Sequence, residues 1–137
     1  MEFFLYTLAI LLALAFLAFL AFQFYPYYTL QRARGRPAAS LESILQADQQ
    51  SRQRLLLYFM APNCSMCRHT TPIIDELAAK RREVVRVDAS RNADLAGQFG
   101  VLGTPAFIVV DRGRVERVKL GALSRKQIMK LLDPPRV

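Results

Sequence analysis

Cys64 and Cys67 are the only cysteines in the chain. They lie three positions apart in the stretch Leu55-Leu56-Leu57-Tyr58-Phe59-Met60-Ala61-Pro62-Asn63-Cys64-Ser65-Met66-Cys67. A continuous apolar run ends in a short Ala-Pro-Asn loop, the cysteines follow, and a helical pattern carries on from them. This order predicts Cys64 at the mouth of a helix, beside the C-terminal end of a buried strand. Backbone N–H groups at a helix start lack partners inside the helix and carry partial positive charge. A thiolate placed there is stabilised and reactive. Residues i and i+3 of a helix are neighbours, so Cys67 lies within reach of Cys64. A lone C-x-x-C beside a strand–helix pattern reads as a redox motif that forms and breaks a Cys64–Cys67 disulfide.

Three other chemistries compete for the same pair. A permanent staple across four residues would restrain little chain entropy. Structural zinc takes four ligands, and the sole histidine, His69, follows Cys67 by two positions and points away around the helix. A soft Cu(I) site could use the two thiolates alone. The residues call for no metal and no cofactor.

The elements that position the cysteines are legible from patterning. Leu55 to Met60 is apolar at every position, as in a strand covered on both faces. The helix is predicted from Cys64 to Arg82, with Met66, Ile73, Ile74, Leu77 and Ala78 buried and a kink at Pro72, which lacks a backbone donor. Val84–Asp88 reads as a second strand. Asn92 is placed to cap a helix over Ala93–Phe99, closed by Gly100. Ala106–Val110 and Val115–Leu120 read as a hairpin across the turn Asp111-Arg112-Gly113-Arg114, the second being an edge strand. Ser124 and Gln127 form the capping box of a last helix, with Ile128, Leu131 and Leu132 inward and Asp133-Pro134-Pro135 as its stop. Before the first strand, Ser40 is placed to cap a short helix over Leu41–Ala47. The resulting class is α/β, a mixed sheet with helices on both faces.

The N-terminal segment obeys different rules. Phe3 to Phe22 is uncharged, and the uncharged run extends to Gln31. About 20 apolar residues cross a bilayer as a helix. Phe, Leu and Ala fall on every face, unlike a helix on a soluble core. Tyr25, Tyr27 and Tyr28 suit the lipid–water boundary, and Pro26 should end or kink the helix. A cleaved signal peptide would have a positive start and a shorter apolar core, whereas Glu2 is the only charged side chain before this run. The chain therefore divides into an anchor over 1–30, an exposed basic linker over 31–39 and a domain over 40–137. The net charge of +8 is scattered, with no basic stripe interleaved with aromatics, so nucleic acid is not the expected partner. A cationic surface near anionic headgroups is. Arg32, Arg34 and Arg36 follow the span, and by the positive-inside rule they favour a cytoplasmic domain on a single-pass membrane protein. A periplasmic domain is the alternative.

Taken in order, four features resemble the thioredoxin superfamily over about Ser40 to Leu132. They are the strand followed by Ala-Pro-x-Cys-x-x-Cys, the segment Thr71-Pro72-Ile73-Ile74-Asp75-Glu76-Leu77-Ala78, the loop Gly103-Thr104-Pro105, and Leu120-Gly121-Ala122-Leu123-Ser124. The resemblance implies a thioredoxin-like fold, which follows the one transmembrane helix read from the N-terminal segment, with a bacterial inner membrane as the expected location. It implies Cys64 as nucleophile and Cys67 as resolving thiol, acting on protein disulfide or dithiol substrates with a membrane or soluble electron donor. It further implies a cis Pro105 that sets the Thr104 backbone beside Cys64, with Asn63, Ser65 and Met66 bordering the substrate. Four positions depart from the family pattern. Ser65-Met66 replaces Gly-Pro, Asn63 replaces the usual Trp, and Tyr58 stands where the family holds a buried aspartate. The missing Trp and the missing buried aspartate support a rival, a non-catalytic thioredoxin-like module that binds a partner or delivers Cu(I) at the membrane.

Overall fold

The computed structural model describes residues 1–38 and 40–134. Ala39 of the linker and Pro135 of the helix stop lie outside the described residues. Helix α1 (Glu2–Gln31) is followed by α2 (Ala47–Gln50), β1 (Arg54–Met60), α3 (Cys67–Lys80), β2 (Val84–Asp88), α4 (Ala93–Gln98), β3 (Ala106–Asp111), β4 (Arg114–Leu120) and α5 (Arg125–Leu132). The sheet order is β2-β1-β3-β4. β1 and β2 run parallel, joined through α3. β3 is antiparallel to β1, and β4 is antiparallel to β3 with a register shift between Val109 and Val110.

Strand β1 is apolar throughout because it feeds two cores. Leu55, Leu57 and Phe59 face one, with Val87, Ile108, Val118 and Phe99. Leu56, Tyr58 and Met60 face the other, under Ile74 and Leu77 of α3 and Ile128, Leu131 and Leu132 of α5. Arg54 fastens α5 to the sheet. Its guanidinium donates to the carbonyls of Leu132 (3.2 Å), Leu131 (3.1 Å) and Asp133 (3.2 Å), three acceptors that a helix end leaves without partners. Asp111 at 3.3 Å and Glu116 balance its charge. The Ser124–Gln127 capping box forms at the other end of α5.

Several local expectations give way to other bonds. Helix α1 does not end at Pro26 but continues to Gln31. Leu41–Ile44 forms only a turn, and the short helix starts at Ala47, where Gln46 and Gln49 cap each other reciprocally. Asn92 precedes α4 without capping it, because its amide donates to the Asp88 carbonyl at 2.9 Å. Helix α3 begins at Cys67 rather than Cys64 and stops at Lys80.

The linker is exposed at Arg32, Arg34, Gly35, Arg36 and Pro37, as expected, but its backbone is bonded to the domain and the chain on either side of Gln31 enters the core. Leu30 and Ala33 are buried in the core between α4 and the sheet. The Gly35 N–H donates to the Val115 carbonyl at 2.7 Å, the Val115 N–H to the Arg36 carbonyl at 3.0 Å, and the Ala38 N–H to the Gly113 carbonyl at 2.8 Å. The segment thus lies along the start of edge strand β4. The Thr29 hydroxyl donates to the Gly100 carbonyl at 3.2 Å. Gly100 has φ +71°, and a Cβ there would stand 2.5 Å from the Thr29 carbonyl oxygen. A side chain at position 100 would be strained and would also push α1 away.

Candidate redox site

The chain leaves β1 at Met60 and turns through Ala61-Pro62-Asn63 to reach Cys64, one turn before α3. Cys64 and Cys67 form a disulfide with Cα atoms 5.3 Å apart. The Cys67 N–H, at the start of α3, donates to Cys64 Sγ at 3.2 Å. Although the helix begins three residues later than predicted, its first N–H is still aimed at the outer sulfur, which supplies the electrostatic stabilisation of a helix N-terminus. The two cysteines are unequally accessible. Cys64 is half-buried, while Cys67 is only 3% exposed and belongs to the core under α3.

The Thr104–Pro105 peptide bond is cis. Pro105 is buried and Thr104 is half-buried. Thr104 lines a shallow groove of about 330 Å³ with Ala61, Ala93, Val101 and Leu102. Asn63, Ser65 and Met66 are exposed around Cys64 but do not line that groove. His69 is exposed on α3.

Tyr58 is fully buried beneath α3, and its ring packs 5.1 Å from that of Phe107. Its hydroxyl is 2.9 Å from the Thr71 hydroxyl. Burial raises the Tyr58 pKa above its ordinary value, partly offset by the Thr71 bond and by Arg86. Tyr58 therefore stays neutral at physiological pH and cannot serve as the charged base that a carboxylate would provide. One residue before Thr71, the Thr70 hydroxyl is buried without a hydrogen-bond partner among the described residues.

Sequence reading missed two participants. Thr71 became the partner of Tyr58 only once α3 crossed β1. Leu102 stands exposed beside the cis-proline loop, and its one signal in the sequence is an apolar residue immediately before Gly103-Thr104-Pro105.

A mixed sheet that carries a helix-start dithiol opposite a cis-proline loop defines a class of domains built for thiol–disulfide exchange. Comparison with known proteins resolves the class. The family model described as Thioredoxin matches residues 38–134. Thioredoxin of Haemophilus influenzae is 32% identical over 82 residues, 58% of this chain and 77% of that protein. Thioredoxin of Pseudomonas aeruginosa is 32% identical over 82 residues, 58% of this chain and 76% of that one. The solved structure of a mutant thioredoxin from Halobacterium salinarum shares the fold, with a TM-score of 0.58 at 23% identity, covering 70% of this chain and 84% of that one. The chain belongs to the thioredoxin family and is a thiol-disulfide oxidoreductase.

Proposed function

We propose that this chain is a membrane-tethered oxidoreductase in which Cys64 attacks and Cys67 resolves. The observation that carries the division of labour is the difference in access. Cys64 is reachable and receives a helix-start N–H at 3.2 Å, whereas Cys67, the first residue of α3, is buried in the core. In the reducing direction the Cys64 thiolate attacks a substrate disulfide, and the leaving sulfur departs as a thiolate that takes up a proton. Cys67 then attacks Cys64, restores the intramolecular disulfide and releases the second substrate sulfur. Two electrons pass from the dithiol to the substrate. Thr104, beside Pro105, offers its backbone to an extended substrate segment. Asn63, Ser65 and Met66 border that segment on the other side.

The tether is α1. Thirty residues of helix rise about 45 Å, more than the roughly 30 Å of a bilayer core, and α1 spans Glu2–Gln31 with every residue up to Phe19 exposed in the isolated chain. On this reading 1–30 anchors, 31–39 connects and 40–137 carries the chemistry, on the cytoplasmic side by the charge of Arg32, Arg34 and Arg36. Cys64→Ser should abolish disulfide reduction in an insulin assay, and Cys67→Ser should accumulate a mixed disulfide resolvable on a non-reducing gel. Unchanged turnover in either variant would reject the mechanism. Labelling of reduced Cys64 by a membrane-impermeant maleimide in intact cells would place the domain outside.

A further inference from the structure

We infer that the Cys64 end of the domain faces the membrane plane, so that its exchange partner is an integral membrane protein with a cysteine pair at the lipid–water boundary. This rests on the membrane-tethered oxidoreductase reading above and adds a direction and a partner class to it.

Strand register defines two poles. Phe59 pairs with Ala106, and Ala106 with Leu120, so the end of β4 lies at the Cys64 pole. Arg54 pairs with Asp111, and Asp111 with Arg114, so the start of β4 lies at the opposite pole. The segment after α1 is bonded to that distal start, at Gly113 and Val115. Earlier in the chain, Thr29 reaches the Gly100 carbonyl. Earlier again, Tyr25 lines a hollow of about 310 Å³ together with Leu102, three residues before Pro105. From Tyr25 to Ala38, then, the chain travels from beside the cis-proline loop to the distal hairpin. Followed backwards, α1 runs towards the Cys64 pole and leaves the domain on that side. The apolar run Phe3–Phe22 extends beyond it.

The height of the site follows from helix rise. If the bilayer core takes about 20 residues, Tyr25, Tyr27 and Tyr28 fall in the headgroup layer, within about 10 Å of its edge. Leu102, beside Tyr25, is then close to the headgroups. The surface chemistry agrees. After α1, Met66 (51% exposed) and Leu102 (56%) are the large apolar side chains exposed among the described residues. Met66 follows Cys64, and Leu102 precedes the Thr104 loop. The distal pole carries charged side chains, with Arg34, Arg112 and Arg114 beside Asp111 and Glu116 around one hollow. Arg114 also donates to the Gly35 carbonyl at 3.2 Å. This charged pole, free of exposed large apolar side chains among the described residues, points to bulk water.

A soluble partner would have to enter between this pole and the bilayer. A membrane protein presenting a cystine at its aqueous edge meets Cys64 without such entry, and both partners are held in one plane at high effective concentration. In the exchange, the Cys64 thiolate forms a bond to one partner sulfur as the partner disulfide breaks. Cys67 then attacks Cys64, forming Cys64–Cys67 and leaving the partner as a dithiol that has gained two electrons and two protons.

The test uses the full chain, reduced, in vesicles of phosphatidylcholine and phosphatidylglycerol. The probe is a cystine-containing peptide attached to a phospholipid headgroup, either directly or through a flexible spacer long enough to reach past the domain. Oxidation of Cys64 is followed by acid quench and thiol alkylation, beside the same peptide free in solution. The directly attached probe should react about tenfold faster than the long-spacer probe, because effective concentration falls with tether length once the site is within reach. Equal rates, or a rate that rises with spacer length, would overturn the proposal by placing Cys64 away from the membrane. No reaction even with the free peptide would bring down the oxidoreductase reading, and failure of the chain to float with the vesicles would bring down the tether. Either failure also removes this inference.

Discussion

Leu30 is 1% exposed inside the domain core, yet it belongs to the long apolar helix α1. Leu30→Ala removes about three methylene equivalents, worth about 2.4 kcal/mol of transfer free energy. A residual cavity among neighbours such as Phe99 and Val118 brings the cost to about 3 kcal/mol. At 1.36 kcal/mol per decade, this is a roughly hundredfold rise in the unfolded population. Amide hydrogen exchange of β1 in the full chain, held in detergent micelles, reads this directly through global opening. Leu17→Ala, on the exposed part of α1, should leave that exchange unchanged. Gly100→Ala should also accelerate it, since its Cβ meets the Thr29 backbone. Leu30→Ala and Gly100→Ala loosen the same contact, so the double variant should cost clearly less than the sum. Independent sites add within about 0.5 kcal/mol. Full additivity, or a Leu30→Ala effect no larger than that of Leu17→Ala, would refute the idea that the end of the anchor is a core element.

Other residues give shorter tests. Tyr58→Phe keeps the ring but loses the bond to Thr71, and should cost about 1 kcal/mol in urea unfolding. Because the folded state raises the Tyr58 pKa, its contribution is complete below the unfolded value of about 10 and is lost as pH rises above it, a loss that Tyr58→Phe should not show. Thr70→Val replaces a buried hydroxyl that has no partner among the described residues, and should leave stability unchanged or raise the unfolding midpoint. Glu76 receives Arg125 of α5 and Lys80, and the Arg125 bond chiefly lowers its pKa. Its contribution is present above the ordinary carboxylate pKa and lost as pH falls through the lowered one, so Glu76→Gln should flatten the decline of Tm on acidification.

What the sequence disclosed was whatever is written locally. The apolar run of β1, the spacing of the cysteines, the Ser124–Gln127 box and the uncharged length of α1 each sit within one continuous stretch. What it concealed depends on which partner each group meets in the fold. Leu30, Ala33 and Gly35 read as the end of a span and a polar linker because Val115, Val118 and Gly100, which hold them, lie on the far side of the fold. The shift of α2 to Ala47 has a comparable cause, since Gln49 is buried and its amide donates to the Arg82 carbonyl at 3.0 Å. Asn92 has a cap's side chain but spends it on Asp88. At the site, the position of Cys64 was legible and the burial of Cys67 was not, because it depends on the inward face of α3 packing over Tyr58.

The pairing of residues 35–38 with β4 also bears on self-association. Edge strands invite other chains through their unsatisfied N–H and C=O groups. Here the start of that edge, Gly113 to Val115, is occupied by the chain's own backbone, and further along Glu116, Arg117 and Lys119 supply charges that deter a neighbour. A proteolytic cut just before Leu30 would leave this cover in place, whereas a cut after Ala38 would remove both the cover and two core side chains. Separation of the domain from α1 would then give either an intact domain or an aggregating one, with the outcome decided by the short stretch between those two cuts.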